Sequence, residues 1–180
     1  MKRNLFILVL ALQGAWVLYT VAVQEHALRE GASILLETER VDPRDLLRGD
    51  YLILNYKISS VPANLFSPPV NRELRAGTKV FVVLEPRGEF YAVTRASTNE
   101  MEPAAGELLV KGRSAWSRGN QTGAIHVEYG LEKYFVREGT GNPRGKLTVQ
   151  AVVPASGRAS IKQVFLDGKP YAEAMKDAVK

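Results

Sequence analysis

The chain contains no cysteine and only two histidines in 180 residues. Without cysteine there are no disulfides, no thiolate metal ligands, no cysteine nucleophile and no thioether-linked lipid anchor. With His26 and His126 alone, the Cys2His2, three-histidine and His-Glu-x-x-His metal patterns are all missing. His126 and Glu128 stand two apart and share one side of a strand, but two ligands do not make a site, so no metal and no cofactor is expected. The glycine-containing turns lack the lysine and following helix of a phosphate loop. Blocks of like charge are absent too. The formal net charge is +5, yet beyond residue 25 there are 22 basic and 18 acidic residues, interspersed along the chain. A nucleic-acid surface concentrates cations on one patch, so no nucleic-acid partner is expected.

Long apolar runs are also scarce, with one exception. Residues 5–23, L-F-I-L-V-L-A-L-Q-G-A-W-V-L-Y-T-V-A-V, carry no charge. As a helix they would reach about 28 Å, close to the hydrocarbon thickness of a bilayer. Lys2 and Arg3 precede the run, which keeps residues 1–4 cytoplasmic and exports the remainder. Thr20-Val21-Ala22 makes a weak cleavage site behind a long core, so an uncleaved anchor inserted in the lipid bilayer is expected. Residues 24–32 read as a juxtamembrane continuation of the helix, stopped at Gly31.

Beyond that point short apolar stretches alternate with Gly, Pro, Asn and Asp, as in an all-β domain. This region spans 33–171, with a solvated tail over 172–180. Strands are expected at 33–37, 51–58, 79–85, 89–95, 108–112, 124–128, 147–153 and 160–165. Residues 129–136 suit either a helical turn or a short strand. The fold expected is a small antiparallel barrel or sandwich of about eight strands, preceded by one transmembrane helix. Three prolines between Val61 and Gly77 exclude a central strand there and leave a long loop pinned by Leu65 and Phe66.

The stretch L46-L-R-G-D-Y-L-I-L-N-Y56 reads as a turn entering a strand. Gly49 can take positive φ and Asp50 can accept backbone N–H bonds. Alternation then puts Leu52, Leu54, Tyr56 and Ile58 on a core face, and Tyr51, Ile53, Asn55 and Lys57 on the other. Gly49, Asp50, Tyr51, Leu54 and Tyr56 match the Gly-Asp-Tyr-x-x-Leu-x-Tyr signature, and the chain resembles the GDYXXLXY domain family of membrane-anchored bacterial proteins. Y129-G-L-E-K-Y-F-V-R-E-G-T-G141, with Glu132, Tyr134 and Glu138, is similar to that family's second block, except that Arg137 stands where proline is usual. The resemblance implies a cell-envelope setting and an accessory role beside a polytopic membrane protein. It implies no reaction.

Two other functions have residue requirements of their own. An envelope hydrolase would need at least two of Asp50, Glu128, Glu132 and Glu138 to converge in a cleft. A signal-peptidase-like protease would need Ser33 beside Lys79 or Lys111, but G31-A-S-I-L35 lacks the Ser-Met-x-Pro context. Tyr129, Tyr134 and Phe135 are expected to pack the core, and Asp50 and Glu138 to organise loops at one end of the domain. No catalytic residue is assigned.

Overall fold

The computed structural model describes residues 2–39, 51–70, 74–115, 123–136 and 145–178. Helix α1 runs from Lys2 to Glu30. Its stretch Asn4–His26 has a mean hydropathy of 2.1, and no part of that stretch is buried against the protein. Apolar side chains surround the helix rather than forming a stripe, so nothing about it suits a groove on a soluble domain.

Among the described residues eleven strands follow, in three antiparallel sheets around one core. Strand β1 (Ala32–Glu37) pairs with β9 (Leu147–Val153), which pairs with β10 (Ser160–Leu166), and β10 with the short β11 (Lys169–Pro170). A two-stranded ribbon joins β2 (Tyr51–Ile53) to β8 (Lys133–Phe135). The third sheet has the order β3-β7-β6-β4-β5, with β3 Ser60–Pro62, β4 Lys79–Arg87, β5 Phe90–Ser97, β6 Leu108–Ser114 and β7 Ala124–Glu128. It nearly closes on itself: Phe66, just past β3, bridges to Ala96 of β5.

Most of the expected strands form. Residues 124–128 and 147–153 match to the residue. The expected strand over 51–58 does not run its length; it stops at Ile53 and gives way to a 3-10 turn at Lys57–Ser59. Even so, Leu52, Leu54, Tyr56 and Ile58 are all buried, while Asn55 and Lys57 are exposed. The long loop also gains structure, with β3 and a 3-10 turn at Ala63–Leu65 before the buried Phe66. The expected β region thus forms, built around one nearly closed five-stranded sheet and not clearly as one barrel of about eight strands. Several strands are only two or three residues long, and such strands escape a search for alternating runs.

Residues 172–180 are not a solvated tail as a whole. Helix α2 (Tyr171–Ala178) buries Tyr171 and Met175, four apart on one face, against the four-stranded sheet. Gly112 of β6 also has a structural reason. A Cβ there would lie 2.5 Å from Val127 Cγ1 and 2.8 Å from the Glu128 carbonyl oxygen, so only glycine lets β6 pass this close to β7.

Candidate functional site

The two signature blocks lie against one another. The register Tyr51↔Phe135, Leu52↔Tyr134, Ile53↔Lys133 zips the first block to the second. Leu54 N–H then donates to the Glu132 carbonyl at 2.8 Å. Two buried tyrosines complete the join. Tyr56 Oη donates to the Leu131 carbonyl at 2.7 Å, and Tyr129 Oη donates to the Ile58 carbonyl at 2.7 Å. Gly130, at φ +82°, turns the chain just after Tyr129, and the Glu132 carboxylate closes that turn by accepting the Tyr129 N–H at 2.6 Å. Burial pushes both phenols far above their ordinary pKa, and the nearby Glu132 charge adds to the effect. A phenol so held stays protonated and serves as a hydrogen-bond donor.

Of the candidate residues, Leu54 and Tyr56 are core, and Tyr134 is half-buried with its ring 5.9 Å from Tyr171. Phe135 departs from expectation. It is 74% exposed, the one large apolar side chain outside α1 that is exposed among the described residues. The alternation of β8 requires this, because Tyr134 already takes the inward position. Outside, the Phe135 ring meets Tyr51 edge-on at 6.3 Å, and Lys133 Nζ sits 5.4 Å from the Tyr51 ring. Gly49, Asp50 and Glu138 lie outside the described residues. Of the other carboxylates, Glu128 is exposed and Glu132 is engaged in its turn. Among the described residues no three of His, Asp and Glu gather as a metal site. Ser33 Oγ accepts from Gln150 Nε2 at 2.8 Å, whereas Lys111 Nζ lies 3.6 Å from Glu100, so these two are engaged elsewhere rather than with each other.

Sequence reasoning missed a second feature. A groove of about 340 Å³ lies beside β5, lined by Phe90, Tyr91, Ala92 and Val93 together with Ile58, Pro62 and Leu65, among others. Glu37 also lines it, 2.7 Å from Lys57 Nζ and 2.8 Å from Lys146 Nζ. These two ammonium groups hold its carboxyl below the usual range. Lys146 also lies 5.0 Å from the Phe90 ring. The residues come from β1, the 3-10 turn, the β4–β5 hairpin and the approach to β9, separations no linear motif connects.

Compared with known families, residues 13–164 match the model described as GDYXXLXY protein, and the chain belongs to that family. No curated protein and no solved structure matches it.

Proposed function

We propose that this chain is a single-pass accessory protein of the bacterial cell envelope, whose β region is a binding module held at the outer face of the cytoplasmic membrane. The observation carrying this reading is the unburied apolar helix Asn4–His26, which ends four residues before Glu30, with β1 starting at Ala32. So short a connection tethers the module at the bilayer surface. Lys2 and Arg3 favour an N-terminus inside, and the weak cleavage site favours an anchor over a removed signal. Tyr56 of the signature and Tyr129 of the second block support a structural reading of the motif, since their hydroxyls are spent on backbone carbonyls. Exposed Phe135 beside Tyr51 offers an outward aromatic contact, and a polytopic membrane protein is the proposed partner.

Crosslinking in intact cells followed by purification in mild detergent tests the reading. A stoichiometric membrane partner, lost in Phe135→Glu while the protein stays folded, is the expected result. Recovery of the chain alone after crosslinking overturns it. Protease added to spheroplasts should digest the β region and spare α1. Protection of the β region, with exported controls digested, would reverse the topology, and N-terminal sequencing of the mature chain would decide cleavage.

A further inference from the structure

Four consecutive residues of β5, Phe90 to Val93, line the groove. Side chains alternate between faces along a strand, so a wall made of consecutive residues is the strand's edge. β5 stands last in its sheet, and the bridge from Phe66 and the Ser67 N–H meet its outer edge at Ala96, beyond the residues that line the groove. The hairpin fixes which backbone groups face outward. Gly88 and Glu89 form a two-residue loop between the partners Arg87 and Phe90, and residues flanking such a loop exchange hydrogen bonds. Bonding then alternates: Phe90 and Ala92 bond to β4, while Tyr91 and Val93 turn N–H and C=O outward. Pro86, which has no N–H, stands opposite Tyr91, where none is needed. Among the described residues, no backbone–backbone bond outside the sheet ladders involves residues 90–94.

Natural edges are commonly blunted with lysine, proline or charge. Residues 90–94, F-Y-A-V-T, carry none of these. The charge lies around the groove instead. Lys57 and Arg87 line it and Lys146 joins through Glu37, which is the one acidic side chain of the lining. The surroundings are therefore apolar with a cationic excess.

We propose that the β5 edge and its groove bind an extended, acidic segment of a partner protein, which adds as a strand along Tyr91–Val93 and presents carboxylates to Lys57, Arg87 and Lys146. A strand donates to and accepts from the outward amides, which an amphiphile with a single anionic head leaves unpaired. Apolar side chains of the segment enter the groove against Ile58, Leu65 and Phe90. The inference deepens the accessory-protein reading and rests on it.

The test uses the full chain in detergent micelles and a fluorescent, end-capped heptapeptide of alternating valine and glutamate. A version with lysine for glutamate, and versions N-methylated at every second residue in either register, serve as controls. Anisotropy should show the acidic probe binding at least about ten-fold more tightly than the lysine probe, with one N-methylated register failing to bind. Arg87→Glu removes an exposed cation without touching the Glu37 pairs, and should weaken the acidic probe several-fold while circular dichroism stays unchanged. No binding, equal binding of the two charges, or full binding by both N-methylated probes overturns the proposal. An envelope partner recovered by crosslinking together with a silent probe sinks the groove alone. A probe that binds where no partner is recovered sinks the accessory reading alone.

Discussion

Tyr56 and Tyr129 cross-link their two segments through the core. Each hydroxyl donates to a carbonyl in the other's segment, Tyr56 to Leu131 and Tyr129 to Ile58, and both bonds are 2.7 Å long. The partners lie 75 and 71 residues apart in sequence. The two signature blocks are thus one clasp, held by two buried tyrosines.

Removing one hydroxyl leaves a buried carbonyl without its donor. Tyr56→Phe and Tyr129→Phe should each destabilise the protein by about 1–3 kcal/mol. Chemical unfolding of the detergent-solubilised chain measures this. Because the two bonds join the same segments, the double variant should depart from the sum of the singles. Strict additivity would mean the two act independently.

Alkali should undo the same clasp. Both phenols are raised above their unfolded value, so the stability they contribute is complete below about pH 10 and falls as the unfolded chain ionises. The slope above that pH should flatten in Tyr56→Phe and in Tyr129→Phe. Equal slopes in wild type and both variants would show that neither phenol is buried as described.

Acid should act at a different place. The lowered carboxyl of Glu37 contributes stability that is present above the ordinary carboxylate pKa and is lost as pH falls through its depressed value. Glu37→Gln should therefore reduce the loss of stability on acidification. Pairing with Lys57→Gln and Lys146→Gln should show coupling to both lysines in unfolding curves at neutral pH.

Gly112→Ala should cost about 1–3 kcal/mol, because the added methyl meets Val127 and the Glu128 carbonyl, and backbone cannot yield as a flexible side chain does. A midpoint equal to wild type would mean that β6 and β7 separate freely.

Met175→Ala reads the C-terminal helix. Met175 is 5% exposed, and truncation of a buried methionine costs about 2–5 kcal/mol. Ala172→Ser, on an exposed position of the same helix, should cost far less. Equal and negligible effects would restore the picture of a solvated tail.

The apolar run over 5–23 determined α1 by itself, since a stretch with no charge needs no tertiary partner to identify it. Period-two alternation likewise determined the inward set Leu52, Leu54, Tyr56 and Ile58, and it did so although the strand breaks at Ile53. Side-chain alternation records burial, and burial survives a local change from strand to turn. Tertiary structure alone decided the rest. Strands as short as Lys133–Phe135 exist because Tyr51–Ile53 lies opposite them, so no local pattern announces them. Phe135 points outward because Tyr134 takes the inward place, and Met175 is buried because a sheet lies beneath it. The Glu37–Lys57–Lys146 cluster and the β5 groove are assembled from segments distant in sequence. Composition tells which residues can pair or hide, but long-range contact selects which of them do.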